Sequence, residues 1–495
     1  MIRTFFSRKN TSFERDSIIL TISKIISGLV QIFVTMILSK YRSLQEYGTY
    51  TQMLLVINLV TSIIMLGLPN SVSFFLGRSK EHKERKDFLS VYFTLNTILT
   101  IVAGLVLVSS ISLMKSYFHN DSIGLYWYFL AFFPWATVTS SAMENLAVST
   151  QNTKILIPLK LFHSFLAISI ALLCKFLNVS FQLYIVFYLI CECTFALCVY
   201  VLAAIVGKGI KPYFDWGLLK RIFSFSLPIG LAAAVGTLNA EIDKFMLGYF
   251  LTTEDVAIYA NAAKELPITV VPISITAALL PRLSKLFKTE TYSEGINLWG
   301  RGIILSLTIV STFAFGCFVF SHDVIRFLYG DKYLSGDLIF KTFCILLIFR
   351  ATYWGLILNT SGKTKFILYS SLISLLLNVA LNFLMFKLWG MVGCAVASLL
   401  STVLISFLQL FYTCKIIKIS PLKIWPWKKI MIILFINFVF AIFFYRLKEI
   451  SSIDLFVGSF FESLILGFIW AFLCFLVFIK FGLLAFRKGG KQWGY

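Results

Sequence analysis

Apolar runs of roughly 20 residues, each long enough to cross about 30 Å of hydrocarbon, recur fourteen times along this chain of 495 residues. They lie at about 16–39, 47–68, 88–114, 125–148, 156–176, 181–206, 222–247, 255–282, 296–320, 337–359, 366–387, 390–414, 430–446 and 456–479. In a bilayer each run must satisfy its own backbone hydrogen bonds, and a helix does so within one segment. Composition agrees: 59% of residues are apolar and 14% charged, against nearly half and a quarter in an ordinary soluble domain. A mean hydropathy of +0.87 leaves no way to hide so much apolar surface in water. The expected class is all-α, a polytopic membrane protein of fourteen helices. A soluble enzyme, a secreted domain and a disordered chain are excluded.

The charge is strongly basic, 44 Lys+Arg against 23 Asp+Glu, and topology accounts for it without nucleic acid as a partner. With residues at span ends counted in the adjoining loops, the termini and even-numbered connections hold 28 cations, the odd-numbered ones 9 and the spans 7. By the positive-inside rule both termini are cytoplasmic. The basic N-terminus precedes an apolar run too long for a signal peptide and without an A-x-A site. The nine cysteines sit in or beside apolar runs without metal-type spacing, so they read as small core residues.

An internal repeat divides the spans. Leu38 to Tyr50 and Leu247 to Tyr259 carry a leucine, a hydroxyl residue, an acid and a tyrosine in register at an offset of 209, and Asn152 to Ile155 echoes Lys363 to Phe366 at 211. Spans 1–6 and 7–12 are therefore expected to form two parallel six-helix lobes around a central cavity, with spans 13 and 14 added. The expected organisation is 1–15, cytoplasmic N-terminus; 16–206, first lobe; 207–221, linker; 222–414, second lobe; 415–429, linker; 430–479, spans 13 and 14; and 480–495, cytoplasmic tail.

Ionisable residues inside spans cost roughly 2.5–3.5 kcal/mol each on insertion scales, so they mark a cavity or a partner. The deep ones are Lys24, Glu192, Lys264, Glu265 and Arg350, with Glu241, Asp243 and Lys244 toward the outer end of span 7. Lys24, Gly28, Gln31 and Thr35 share one helical face. Asn261, Lys264, Glu265 and Thr269 do something similar in span 8, whose backbone Pro267 and Pro272 interrupt. Cations in both lobes suit an anionic cargo: Lys24, Lys264, Arg350 and Lys244 for a diphosphate, with Gln31, Asn239 and Asn261 for sugar hydroxyls. Glu192, Glu241, Asp243 and Glu265 are candidates for proton or sodium coupling. The alternative for any of them is a structural pair, such as Glu241 with Lys244 at i, i+3.

Other signals carry no function. Gly362-Lys363-Thr364 ends like a phosphate-binding loop, but Ile357 stands where its first glycine belongs. His82, His119, His163 and His322 are scattered. No metal or cofactor is implied. The longest outside connection, Ser321 to Gly336, is too short for the catalytic loop of a membrane glycan-processing enzyme.

The series Asp243-Lys244-Phe245-Met246-Leu247-Gly248-Tyr249-Phe250-Leu251-Thr252, Tyr259, Glu265-Leu266-Pro267, Leu279-Leu280-Pro281-Arg282-Leu283-Ser284-Lys285 and Tyr329-Gly330-Asp331-Lys332-Tyr333 resembles the multidrug/oligosaccharidyl-lipid/polysaccharide exporter superfamily. Within it the chain is most similar to the polysaccharide transport family, the Wzx-type flippases. The resemblance implies transfer of undecaprenyl-diphosphate-linked oligosaccharide, such as an O-antigen or capsule repeat unit, to the outer leaflet of a bacterial inner membrane. It also implies alternating access by a monomer, with no enzyme activity and with polysaccharide polymerase or chain-length machinery as possible partners beside membrane lipid. Lipid II flippases share the span 8 series, but their cavity arginines in spans 1 and 2 are not reproduced here. A multidrug or small-molecule antiporter of the same superfamily is the alternative, and its cationic cargo would favour an acidic cavity.

Overall fold

The computed structural model describes residues 11–79, 81–150, 155–264, 266–289, 291–451 and 458–481. Among the described residues every regular element is helical, and the chain is a multi-pass membrane protein. Its contacts divide it into two compact units, Met1–Ala257 and Ile258–Tyr495.

The first unit holds α1 (Thr11–Tyr41), α2 (Leu44–Ile64), α3 (Leu68–Arg78), α4 (His82–Ser109), α5 (Ile111–Phe118), α6 (Trp127–Ser149), α7 (Leu156–Phe176), α8 (Phe181–Val206) and α9 (Trp216–Phe250). α6 packs against α4 and α8, α1 against α7, and α9 against α2 and α3. Its core gathers Leu68, Val72, Leu89, Tyr92, Leu146 and Ile222. The expected linker 207–221 thus lies inside this unit.

The unit boundary falls within α10 (Thr253–Ala262). The second unit continues with α11 (Val270–Lys288), α12 (Tyr292–Val319), α13 (Ser321–Tyr329), α14 (Asp337–Phe349), α15 (Leu356–Thr360), α16 (Thr364–Ile417), α17 (Pro421–Ile424), α18 (Trp427–Ile450) and α19 (Ser459–Lys480). α12 packs on α11, α14 and α18, and Trp299, Phe444 and Trp470 are wholly buried in its core.

The internal repeat is visible element by element. α4 and α12, α5 and α13, the 3-10 turns Asp121–Tyr126 and Asp331–Gly336, and α6 and α14 all begin 210 residues apart. α2 and α10 begin 209 apart, and here the sequence echo has a local cause. Ser43 Oγ accepts from the Glu46 amide at 3.1 Å while Glu46 accepts from the Ser43 amide at 3.0 Å. Thr252 and Asp255 make the same reciprocal pair, both bonds 3.2 Å. Each is a capping box, satisfying two amide donors that a helix start leaves open.

Among the described residues ten helices are long and apolar enough to cross a membrane, or eleven when the bent pair Trp216–Leu227 and Gly230–Phe250 counts as one span. The continuous 54-residue α16 is a hairpin. Gly390 adopts φ 57° and ψ −137°, a conformation that L side chains resist. Beyond it the chain folds back, so that Ser374 Oγ donates to the Ser401 carbonyl at 3.2 Å and Gln409 Nε2 to Ser370 Oγ at 3.2 Å. Read as two legs, α16 supplies two of the expected spans; α6 and the α14–α15 pair, also expected as spans, are not among the ten helices.

The hairpin makes a testable demand. A Cβ on Gly393 would lie 1.9 Å from the Met385 carbonyl oxygen, so the two legs touch backbone to backbone. Gly393→Leu is expected to cost about 1–3 kcal/mol or more through overpacking, read as a lower unfolding temperature of the purified protein in detergent. An unchanged temperature would contradict the close turn.

Candidate functional site

Two expected spans of the second unit are broken, and each break carries one of the deep cations. α10 stops at Ala262, because Leu266 precedes Pro267 and takes extended backbone, φ −83° and ψ 149°, as steric clash with a proline ring requires. Lys264 lies in that break. α14 ends at Phe349, Arg350 occupies its C-cap, and the helix resumes at Leu356. Trp354 Nε1 donates to the Phe349 carbonyl at 2.7 Å, satisfying one acceptor that the helix end frees. A cation at or just past a helix C-terminus is favoured by the partial negative charge there, so both side chains sit where the local backbone supports them.

Lys264 and Arg350 line one recess, with Ala263, Leu266, Phe343 and Leu347 among its walls. It is tight, with an open volume of about 10 Å³, room for about one water. Asn261 is buried in the last turn of α10. Glu265 lies outside the described residues.

Comparison between the repeats singles out these positions. At the offset of α10 from α2, Lys264 corresponds to Leu55, in the middle of an unbroken α2. At the offset of α14 from α6, Arg350 corresponds to Ser140, inside an unbroken α6. The first repeat is also interrupted in its counterpart of the α10–α11 span, between α2 and α3, but further along, after Ile64. Repetition of the architecture therefore accounts for neither cation, nor for a break at these two positions.

The remaining candidates belong to the first unit. Lys24 and Gln31 are exposed on α1, whereas Thr35 on the same face is buried. Glu192 is 7% exposed on α8, its Oε1 3.0 Å from Nε2 of His163 on α7. Lys244 Nζ is 2.5 Å from Glu241 Oε2, so the i, i+3 pair forms. Asp243 is buried and accepts from the Lys244 amide at 2.8 Å; Asn239 is half-buried one turn earlier. Near the span ends, Lys160 pairs with Glu144, and Lys341 with Asp337 at 2.7 Å.

Sequence reading missed His163, which has no local motif and meets Glu192 from the neighbouring helix. It also missed Asn120, whose Nδ2 donates to Thr49 Oγ1 at 2.9 Å and Gln52 Oε1 at 2.8 Å, while Gln52 Nε2 donates to Thr253 Oγ1 at 3.3 Å. Among the described residues no group of three or more His, Cys, Asp or Glu is arranged to hold a metal.

The fold and part of the sequence have known counterparts. The chain is 22% identical over 258 residues to the probable low-salt glycan biosynthesis flippase Agl15 of Haloferax volcanii, covering 50% of this chain and 53% of that protein. It is 25% identical over 185 residues to the capsular polysaccharide biosynthesis protein CapF of Staphylococcus aureus, 37% of this chain and 47% of that one. The chain spans about half the length of the relatives it matches. The solved lipid II flippase MurJ, in an inward closed conformation, superposes with a TM-score of 0.71 at 14% identity, over 94% of this chain and 98% of that one. An inward-facing multidrug resistance MATE family transporter gives 0.64 at 12%, over 79% and 94%. At these identities the likeness is one of fold. The polysaccharide biosynthesis protein family itself matches residues 37–336, more than half the sequence, and to that family the chain belongs.

Proposed function

We propose that this protein is a flippase that moves undecaprenyl-diphosphate-linked oligosaccharide from the cytoplasmic to the outer leaflet of a bacterial inner membrane by alternating access. One observation carries the reading: the deep cations Lys264 and Arg350 line a common recess, each at a helix break, where the other repeat has Leu55 and Ser140 inside continuous helix. A diphosphate is the anionic part of such a cargo, and a guanidinium with an ammonium matches its oxygens. The recess must widen to admit it, and two interrupted helices supply that freedom. Relatives named as a glycan flippase and as a capsular polysaccharide protein support the same cargo class.

In this scheme Lys24, on the exposed face of α1, meets the headgroup, and Lys244 takes it nearer the outer exit by exchanging Glu241 for phosphate. Gln31, Asn239 and Asn261 contact sugar, and the polyprenyl tail stays in lipid. The residues 16–206 and 222–414 act as the two lobes, both termini lie in the cytoplasm, and the protein works as a monomer without cofactor or enzyme activity. Polymerase or chain-length machinery receives the product.

The fold shared with MATE transporters favours a second reading, an ion-coupled multidrug or small-molecule antiporter, and the fold shared with MurJ a third, transfer of lipid II. Proteoliposomes separate them. Leaflet exchange of a short polyprenyl-diphosphate oligosaccharide is expected, without uptake of a cationic dye. Dye uptake without glycan exchange would move the chain to the antiporter branch, and exchange of lipid II alone to the third.

A further inference from the structure

Comparison of the repeats also isolates a feature of the first. Glu192 and His163 form a buried carboxylate–imidazole pair between α8 and α7, Nε2 to Oε1 3.0 Å. The imidazole is fixed from its other side by Phe195, stacked at 4.2 Å. At repeat offsets of 210 and 211, Glu192 corresponds to Thr402 or Val403 and His163 to Ile373 or Ser374, and none of these titrates. In the second repeat the same two legs are joined there by a neutral contact, Ser374 Oγ donating to the Ser401 backbone carbonyl at 3.2 Å. Packing of two helices in this fold therefore does not require an acid and a base here.

We infer that the Glu192–His163 pair is a proton-binding site, and that a proton entering from the outer side and leaving to the cytoplasm through it drives export. With imidazole neutral and carboxylate ionised the pair carries one negative charge. Binding one proton, on either partner, makes it neutral overall, and release restores the charge. An uncompensated charge inside the hydrocarbon region is costly and a neutral pair is far less so. The two protonation states therefore differ in how well they tolerate burial away from water, and that difference biases a conformational equilibrium.

The surroundings suit one exchanging proton. Tyr50 from α2 and Tyr184, Tyr188, Cys191 and Cys193 from α8 lie within electrostatic reach of the carboxylate, and all are neutral as phenols and thiols near pH 7. The acid of α6, Glu144, is paired with Lys160 of α7, and α1 keeps Lys24 on its exposed face.

The coupling rests on the flippase reading; the proton site does not. Purified full-length protein is therefore tested first, without glycan. Proton uptake on stepping from alkaline to mildly acidic pH is counted with a pH dye for wild type and for Glu192→Gln with His163→Gln. The double variant is expected to take up one proton fewer, and equal uptake would overturn the site. Proteoliposomes then report the ratio of glycan export with an inward proton gradient to export without it. About tenfold is expected for wild type and about one for Glu192→Gln, whose amide still reaches His163; its elution and unfolding temperature verify folding. A Glu192→Gln ratio equal to wild type would overturn the coupling. If wild type moves no glycan at all, the flippase reading falls and the proton count still decides the site.

Discussion

Arg350→Ala is expected to slow leaflet exchange of the polyprenyl-diphosphate oligosaccharide about a hundredfold, and Lys264→Ala by a comparable factor, with folded protein still recovered. A hydrogen bond from a charged group contributes about 1.5–3 kcal/mol, and each 1.4 kcal/mol is about tenfold. Losing one cation from a two-cation grip thus lands between about tenfold and a hundredfold or more. The helix end at Arg350 is held through the backbone, its amide reaching the Leu346 and Leu347 carbonyls, and elution and unfolding temperature verify that each variant is folded. Arg350→Lys is expected to fall between, because an ammonium keeps the charge but not the planar two-oxygen contact. The double alanine variant should lose little beyond either single one, as neighbours sharing one ligand are not additive. Exchange at wild-type rate in both single variants would remove the recess from the mechanism and leave Lys24 and Lys244 to carry the anion.

How much of this was legible before the structure follows from the range of each interaction. The helical membrane class and the placement of the apolar runs depend on local composition, and the repeat was readable at Ser43–Glu46 and Thr252–Asp255 because a capping box is written within four residues. The interruption of span 8 was signalled by Pro267. The break at Arg350 had no proline to announce it, and its run of apolar residues reads as a continuous helix. Glu192 was conspicuous as a charge in a span, but its partner His163 is 29 residues away on another helix, a pairing that depends on how α7 and α8 register. The tight turn at Gly390 was legible only as a gap between two runs. Lys264 and Arg350 were each visible alone; their common recess is a tertiary fact.

The largest structural effect is expected at a pairing that no local pattern revealed. Asp323 on α13 is 3% exposed and is held by Lys448 at the end of α18 and by Ser463 Oγ on α19, at 2.6 Å. It therefore ties both added helices to the second repeat. At the offset of α13 from α5, Asp323 corresponds to Leu113, which is 70% exposed. The first repeat has no added helices to fasten there, and an apolar residue facing outward suffices. Lys448→Met leaves a buried carboxylate with one hydroxyl donor, and removing one partner of a buried pair costs about 3–5 kcal/mol. Because the Lys448 side chain is itself a quarter exposed, the lower end, about 3 kcal/mol, is the expectation, read as a loss of unfolding free energy in detergent. Adding Asp323→Leu should recover most of that loss, since no charge is then stranded and the apolar flanks of α18 and α19 still pack. Recovery in the double variant marks a fastening that charge supplies and apolar contact can replace. If the double variant is as unstable as Lys448→Met alone, the ion pair itself, rather than relief of a buried charge, holds α18 and α19 in place.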